Sequence, residues 1–258
     1  MENQKQLDQT PVPAKILVIA AHHDDIEFGV AGSVALWVDN GARVSYCIVT
    51  DGSAGSNDPD TNLEELVTRR KEEQLAAARV VGVEDVHFLG YRDGTLQPTL
   101  ELRRDLTRII RELRPDRVVC QDPTTMLVGD RYINHPDHRA AAEAAVYAVF
   151  PSAETRPIFP ELLDEGLEPH HVNEVYLMLT LQADTVVDIT STIDRKLEAL
   201  ACHASQVGQE SLDRIREWNA DNGKELGCDY AEVYRVMRFG GATSEPVENE
   251  GQGEASLS

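Results

Sequence analysis

The sequence predicts an α/β fold with a Rossmann-like, doubly wound, mostly parallel sheet and a C-terminal elaboration of strands and helices. Short, wholly apolar segments such as KILVIAAH at 15–22 and RVSYCIVT at 43–50 alternate with longer segments whose apolar residues recur at helical spacing. Strands without polar alternation are buried on both faces, which is typical of parallel sheets covered by helices. In addition, ionisable residues follow the first and fourth of these strands, where such sheets bind ligands.

The predicted elements follow one another in a regular β-α order. After the strand at 15–22, a glycine-punctuated turn leads into a helix over about 29–40. Residues 51–62 are dense in turn-forming residues and are predicted as a loop. Apolar periodicity and the stop signals Gly82 and Pro115 define the other elements. The remaining strands are predicted at 43–50, 86–90 and 117–123, and the remaining helices at 63–81, 100–113 and 138–149.

The C-terminal third has a different pattern. Residues 150–173 are rich in proline and charged residues and are predicted as a long excursion. Strands at 174–180, 185–190 and 231–237 and a helix at 193–206 follow it. We interpret residues 15–240 as one domain, preceded by a flexible segment, 1–14, and followed by a disordered acidic tail, 241–258.

Composition and charge restrict the partners of this chain. It carries 24 Lys and Arg against 45 Asp and Glu, a formal net charge of −21, which opposes binding to nucleic acid or to anionic membranes. The apolar run at 16–21 is far shorter than the ~20 residues that a membrane span needs, and we expect no secretory signal. The four cysteines form no CxxC pair. We therefore expect the protein in a reducing compartment, the cytoplasm.

Two clusters of ionisable residues indicate chemistry at the sheet edge. AHHDDIEFG at 21–29 ends the first strand, and NHPDHR at 134–139 lies beyond the fourth. Imidazole and carboxylate together suit Zn²⁺, and three protein ligands with one open position are typical of catalytic zinc. His22, Asp25 and His138 fit that set. A polar turn that merely caps a helix is the alternative, but two such clusters at one edge favour a site.

These motifs carry a family resemblance. A strand ending in A-H-x-D-D, a T-D-G loop, R-x-x-E in a helix and a later H-P-D-H resemble the PIG-L/LmbE family of zinc-dependent N-deacetylases. Later segments, among them KLEALACHASQ, resemble its GlcNAc deacetylase-like branch, and the likeness covers about 15–240. It implies a Rossmann-like fold and removal of an N-acetyl group from an amino sugar or related small-molecule conjugate. It also implies a zinc ion, with Fe²⁺ as the alternative, and homo-oligomers assembled with the help of 150–173.

The resemblance assigns roles residue by residue. The metal ligands of the family are matched by His22, Asp25 and His138. Asp24 matches the general base that deprotonates the zinc-activated water, and His135, as imidazolium, matches the residue that stabilises the oxyanion. Asp137 would orient an imidazole. In an extended turn the side chains of Asp24 and Asp25 would point to opposite sides, so one can bind metal while the other faces the water.

Two positions depart from the family pattern. The usual proline between the first histidine and the aspartate pair is His23 here. We expect His23 to be an exposed bystander, although it could also loosen the turn or reach toward substrate. Some relatives have a tyrosine two residues before the H-P-D-H histidine, but this chain has Ile133 there, with Tyr132 beside it. We therefore assign no catalytic tyrosine.

Three further residues are candidates for substrate binding. Arg70 is either a clamp for sugar hydroxyls or a surface ion-pair partner of Glu73, one helical turn away. Asp93 follows the third strand and is either a substrate contact or a turn former. His203 matches the H-x-S-Q segment of the family at 203–206, with a substrate-side or a packing role.

Two other function classes stay open at this point. A metal site beside a base could instead hydrate an unsaturated carboxylic acid, a reaction known for this fold. A non-catalytic binding relative is the third hypothesis, and the retained Asp24 speaks against it. The sequence leaves open the acyl group, the sugar and the proton donor to the leaving amine, for which Asp24 and His135 compete.

Overall fold

The structure is a computed structural model that describes residues 5–240. Its strands are β1 Gln6–Leu7, β2 Lys15–Ala20, β3 Arg43–Thr50, β4 Asp85–Tyr91, β5 Arg117–Gln121, β6 Leu127–Val128, β7 Tyr132–Ile133, β8 Glu174–Met178, β9 Thr185–Asp188 and β10 Ala231–Arg238. Its α-helices are α1 Asp25–Gly29, α2 Ala31–Asp39, α3 Leu63–Val80, α4 Leu100–Leu113, α5 Pro136–Tyr147, α6 Glu161–Asp164, α7 Ile193–Ala201 and α8 Gln209–Gly223. The predicted α/β class is confirmed.

Eight strands form one sheet in the order β1-β9-β10-β8-β5-β2-β3-β4. Strands β8, β5, β2, β3 and β4 are parallel to their neighbours in this order. The chain moves from β2 outward through β3 and β4 and then returns to place β5 on the other side of β2. The order therefore reverses between β2 and β5, and a crevice opens there at the carboxyl ends of the strands.

Helices cover both faces of this sheet, which explains the wholly apolar strands. Alternate residues of β2 enter opposite core layers: Ile16 and Val18 pack with α2, α3 and α7, whereas Leu17 and Ile19 pack with α4 and α5. Since successive side chains of a strand point to opposite faces, both sets must be apolar when both faces are buried. The parallel central strands that we predicted from these wholly apolar segments are confirmed.

The C-terminal elaboration extends the same sheet. Strand β10 is antiparallel to both β8 and β9, and β1 adds to β9 with Gln6 opposite Thr185. The expected flexible segment 1–14 is thus ordered in part, since Tyr176 Oη also donates to Asp8 at 2.8 Å. A two-residue strand is too short to give a sequence pattern, and its partner is distant in sequence. Residues 1–4 and the predicted acidic tail 241–258 lie outside the described residues.

One buried cation bonds to several backbone carbonyls of the excursion after α5. Arg111, on α4, donates to the backbone carbonyls of Ser152, Ala153, Thr155 and Ile158. A guanidinium has five donors, so a single side chain can satisfy several carbonyls of an irregular segment. Because Arg111 lies far away in sequence, composition predicted the excursion but not what holds it.

Some helix boundaries differ from the prediction. The helix expected over about 29–40 begins at Asp25 as α1 and continues as α2 after Val30, and the helix expected over 193–206 ends at Ala201. Helix α8 was not predicted. Of its 15 residues only Asn219 and Gly223 are buried, so burial leaves little apolar pattern in its sequence. Among the described residues, no helix combines the length and apolar character that crossing a membrane requires.

Candidate functional site

The loops after β2, β4 and β5 bring the ionisable clusters together at the crevice. His22 to Asp25 follow β2 directly, and Asp93 follows β4. His135 and His138 begin α5, which the chain reaches after β5 through the β6-β7 hairpin. Carboxyl ends of parallel strands meet at one sheet edge, so residues more than 100 positions apart become neighbours.

Three side chains converge at this edge. His138 Nε2 lies 3.0 Å from Asp25 Oδ1 and 3.2 Å from His22 Nδ1, and His22 Nδ1 lies 3.4 Å from Asp25 Oδ2. Donor atoms of a tetrahedral zinc site with bonds of about 2.1 Å are separated by about 3.4 Å. The spacing of His22, Asp25 and His138 therefore fits a metal ligand set.

The outer contacts of the two imidazoles fix which nitrogen faces inward. His138 Nδ1 lies 3.0 Å from Asn134 Oδ1, an amide oxygen that only accepts hydrogen bonds. His22 Nε2 lies 3.1 Å from Asp93 Oδ1 and 3.4 Å from Asp137 Oδ2. Each outer nitrogen thus faces an acceptor and carries a proton, and the inner nitrogen of each ring points into the cluster.

The electrostatics of the cluster favour positive charge at its centre. Burial of the His22 imidazole opposes its protonation, but the charge of Asp25 and hydrogen bonds with Asp137, Asp25 and Asp93 raise its pKa to about 12. Although burial acts in the opposite direction, the charges of His138 and His22 hold the pKa of Asp25 well below its usual range. Converging lone pairs beside buried carboxylates are stabilised by a bound positive charge, which a divalent metal provides.

His135 lies beside His22 and His138, but its Nδ1 is directed at the backbone of Asp137 and not at Asp25. Its ring is 4.7 Å from that of His22, edge to face, and donor atoms of His22, His135 and His138 lie within 4.8 Å of one another. Its Nδ1 accepts from Asp137 N–H at 3.2 Å. Burial and the charge of His22 lower its pKa. An imidazolium has no acceptor, so the expected imidazolium form is wrong for this geometry, which is that of a neutral ring with its proton on Nε2.

Asp24 is separated from Asp25 by backbone conformation. Asp24 has φ 91° and ψ −27°, in the left-handed region, whereas Asp25 is the first residue of α1. For a residue other than glycine, this backbone conformation is less favourable by roughly 1–2 kcal/mol of free energy. The two carboxylates do diverge, but not through the extended turn that we expected. Burial and the charge of Asp25 raise the pKa of Asp24 to about 7.

Arg70 is buried and bonded to the protein. It donates to the carbonyl oxygens of Gly52 at 3.1 Å and His23 at 2.9 Å, and its Nη2 lies 3.4 Å from Asp24 Oδ2. The surface ion pair with Glu73 is therefore wrong, since Glu73 accepts instead from Ser205 N–H and Oγ. With its donors directed at the backbone, Arg70 supports the Asp24 turn rather than offering a free clamp for sugar hydroxyls.

Asp93 and Asp137 are held by backbone amides. Asp137 accepts from Gly94 N–H at 2.7 Å and Leu96 N–H at 3.1 Å, and Asp93 accepts from Ala54 N–H at 3.1 Å. Burial opposes ionisation of both carboxyls, but these bonds and their contacts with His22 lower the pKa of each. Both residues thus face His22. Asp93, a candidate for substrate binding, contacts that imidazole through Oδ1.

His203, expected as a substrate-side candidate, lies in the core. Its Nε2 is 3.0 Å from Glu27 Oε2, and Glu27 Oε1 accepts from Gln74 Nε2 at 3.0 Å. Burial opposes protonation of His203, but the hydrogen bond and charge of Glu27 raise its pKa. Sequence reasoning gave no role to Glu27 and Gln74. Glu27 belongs to the first cluster of ionisable residues and could have been considered there, whereas no motif or spacing in the sequence distinguishes Gln74.

His23 differs most from its expectation. It is buried, not exposed, and its ring stacks on Phe88 with centroids 5.5 Å apart. Burial and the charge of Arg70 lower its pKa to about 3, so the ring is neutral. A Cβ at Gly52 would lie 2.9 Å from His23 Nδ1, which shows how closely the loop after β3 covers this ring. His23 therefore fills the position under the turn that precedes Asp24.

A groove opens beside the cluster formed by His22, Asp25 and His138. Its volume is about 1320 Å³, and Asn134, the partner of His138, lines it together with Phe28, Tyr132 and Trp218. Its charged lining residues among those described, Lys5 and Glu225, form an ion pair at 3.2 Å. The groove thus presents aromatic faces and amides with little free charge.

Comparison with known proteins identifies the relatives of this chain. The diacetylchitobiose deacetylase of Thermococcus kodakarensis is 33% identical over 231 residues, which cover 86% of this chain and 83% of that protein. A probable N-acetyl-alpha-D-glucosaminyl L-malate deacetylase 2 of Bacillus anthracis is 29% identical over 214 residues, which cover 79% of this chain and 86% of that protein.

Solved structures give the same result. The N,N'-diacetylchitobiose deacetylase of Pyrococcus horikoshii, complexed with its inhibitor, superposes with a TM-score of 0.82 at 32% identity and covers 89% of this chain and 86% of that one. The 4-carboxy-2-hydroxymuconate hydratase GalB of Pseudomonas putida, at TM-score 0.72 and 22% identity, covers 91% and 100% and shares the fold. A model of the family PIG-L, described as GlcNAc-PI de-N-acetylase, matches residues 17–149. With its cluster and these matches, the chain belongs to the PIG-L family.

Proposed function

We propose that this protein is a metal-dependent hydrolase that removes the N-acetyl group of an amino sugar or of a related small-molecule conjugate. The observation that carries the proposal is the convergence of His22, Asp25 and His138 on one point, with the separate carboxylate of Asp24 beside it. The family match and the names of the relatives, which are deacetylases of N-acetylated sugars, support the same reaction.

His22, Asp25 and His138 would hold the metal, with Zn²⁺ proposed and Fe²⁺ as the alternative. When bound, zinc supplies Lewis-acid activation of water and of the amide carbonyl. Asp24 acts as general base. Its pKa of about 7 suits a carboxylate that takes the proton of the attacking water and returns it to the leaving amine. Arg70, at 3.4 Å, limits the directions in which this carboxylate can turn.

His135 would stabilise the oxyanion as a neutral donor. Because its Nδ1 accepts from the Asp137 amide, Nε2 carries the proton that can bond the developing charge. Asp137 and Asp93 keep His22 in the tautomer that directs Nδ1 toward the metal ligands. Asp137 therefore orients both a proposed metal ligand and the oxyanion donor.

The groove indicates the rest of the substrate. A volume of about 1320 Å³ exceeds the needs of one sugar, and Trp218 and Tyr132 offer aromatic faces on which a sugar ring can pack. With Lys5 already paired to Glu225, the described residues that line the groove include no other cation for a carboxylate or phosphate. We propose an uncharged saccharide extension rather than an anionic conjugate.

The metal assignment predicts the effect of His138→Ala. The wild-type protein should bind about one Zn²⁺ per chain, and the variant should lose it because one of three ligands is gone. Metal content by mass spectrometry and helicity by circular dichroism measure the two effects. His87→Ala is the matched control, since His87 contacts Asp85 at the opposite end of β4. Full zinc occupancy in folded His138→Ala would rule out this ligand set.

Identical substitutions of the two adjacent aspartates should have opposite effects. Asp24→Asn removes a proton acceptor and should lower kcat by roughly 10²–10⁴-fold with zinc retained. Asp25→Asn should lose zinc. His135→Ala should retain zinc and lose roughly 10²–10³-fold in kcat through poorer oxyanion stabilisation. If Asp24→Asn loses zinc and Asp25→Asn keeps it, the two roles are reversed.

Substrate profiling tests both the reaction and the groove. We expect equimolar amine and acetate from N,N'-diacetylchitobiose, with kcat/KM about tenfold above that for N-acetylglucosamine because of aromatic packing in the groove. N-acetylglucosamine 1-phosphate should be a poorer substrate. Trp218→Ala should remove the disaccharide preference and leave the monosaccharide rate unchanged. Absence of amine release, with hydration of an unsaturated carboxylic acid, would instead favour the hydratase alternative.

We propose a homo-oligomer on the basis of apolar surface at the excursion. Tyr147 ends α5 and Phe150 begins the excursion, and the two side chains are 49% and 60% exposed. Burial against a second copy would remove this surface from water. Light scattering should therefore give at least twice the monomer mass at micromolar concentration. A monomer under those conditions contradicts the proposal.

We further propose that the protein acts in the cytoplasm on a small molecule, without a nucleic-acid or membrane partner. The formal net charge of −21 repels polyanions. Cys47 and Cys120 are free and buried, and burial raises the pKa of both thiols to about 12, so neither reacts readily. These features suit a reducing compartment.

A further inference from the structure

The peptide bond between His23 and Asp24 is held at both of its polar atoms by helix α3. Arg70 Nη2 donates to the His23 carbonyl at 2.9 Å, and Gln74 Oε1 accepts from Asp24 N–H at 3.1 Å. Arg70 and Gln74 are four residues apart and so share one helix face. Rotation of this peptide, which would move Asp24 out of its left-handed conformation, has to break both bonds.

The amide of Gln74 can serve Asp24 in only one orientation. Its oxygen must face the Asp24 N–H, so its nitrogen must face an acceptor, and Glu27 Oε1 is that acceptor at 3.0 Å. A carboxylate only accepts hydrogen bonds, so Glu27 determines which end of the amide points to Asp24. His203 Nε2, 3.0 Å from Glu27 Oε2, engages the second carboxylate oxygen.

These three side chains are withdrawn from solvent. Glu27, Gln74 and His203 are each 0% exposed, so water cannot readily replace a lost partner. Buried networks of this kind set one arrangement because each unpaired polar group would be costly. Ser205 and Glu73 tie the same chain segment to α3 by a separate pair of bonds and do not touch Asp24.

We propose that His203, Glu27 and Gln74 are positioning residues that orient the Asp24 carboxylate for catalysis. The inference rests on the proposed function, in which Asp24 is the base. His203 holds Glu27, Glu27 orients the Gln74 amide, and Gln74 fixes the Asp24 peptide. The H-x-S-Q segment thereby acts on the reaction through three buried side chains, without contacting the substrate.

The test begins with Gln74→Met and His203→Leu, which keep bulk and remove the hydrogen bonds. We expect kcat to fall about 10–100-fold, because a small misplacement of a reacting group is costly, with KM changed less than about twofold. Zinc content should stay at the wild-type level. His203→Gln retains a donor to Glu27 and should therefore have a kcat close to that of the wild-type protein. If His203→Leu does not fold, the comparison of Gln74→Met with His203→Gln tests the proposal.

Two control variants separate positioning from general stability. Tyr234→Phe removes buried hydrogen bonds to Ser33 and Glu232 away from the site and should lower Tm without lowering kcat. Ser205→Ala weakens the other tie of the same segment and should also leave kcat unchanged. If Gln74→Met and His203→Leu lower only Tm, as these controls do, the positioning role is wrong.

Amide hydrogen exchange reports the hydrogen bond of the Asp24 N–H without any need for catalysis. In the zinc-loaded protein, amide hydrogen exchange at Asp24 should accelerate at least about tenfold in Gln74→Met, since its acceptor is lost. In the Asp24→Asn background, Gln74→Met should cause no further loss of kcat. Wild-type exchange at Asp24, or additive losses of kcat, would overturn the inference. Full activity of Asp24→Asn alone would overturn the assigned base instead.

Discussion

The crowding of hydrogen-bond acceptors at the end of β2 is the constraint on which the rest of the site depends. Inner nitrogens of His22 and His138 and the carboxylate of Asp25 lie 3.0–3.4 Å apart, where lone pairs repel unless a proton or a metal cation lies between them. The surrounding groups keep this arrangement in place. Asn134 and Asp93 engage the outer nitrogens, so each ring keeps its inner nitrogen directed toward the other two groups.

The same loop must also keep two neighbouring carboxylates apart. If Asp24 and Asp25 both faced the ligand cluster, neither would be available as a base. The left-handed conformation of Asp24 solves this, and its strain is offset by the bonds from Arg70 and Gln74 to the preceding peptide. Strain at this position is thus a property of the reaction site and not a defect of the fold, which agrees with the proposed division between ligand and base.

The sheet topology supplies the frame for these contacts. Reversal of strand order between β2 and β5 opens the crevice, and α7 packs against α1 and α3 so that the segment at 203–206 reaches Glu27 and Glu73. The C-terminal elaboration therefore has two effects. It extends the sheet through β9 and β10, and it closes the buried network beneath Asp24. A domain ending after α5 would lack this support.

By itself, the sequence determined the α/β class, the parallel central strands and the identity of the ionisable residues at the crevice. These features are local, since apolar runs reflect burial on both faces and strand ends mark the sheet edge. Only the tertiary structure decided the partners. It buried His23 and Arg70, turned Asp93 toward His22, made His135 an acceptor, and joined His203 to Gln74 through Glu27. Helix α8 was likewise missed because it buries only two residues. Hydrogen-bond partners distant in sequence leave no periodic pattern, so packing alone fixes whether a polar side chain binds substrate or supports a neighbour.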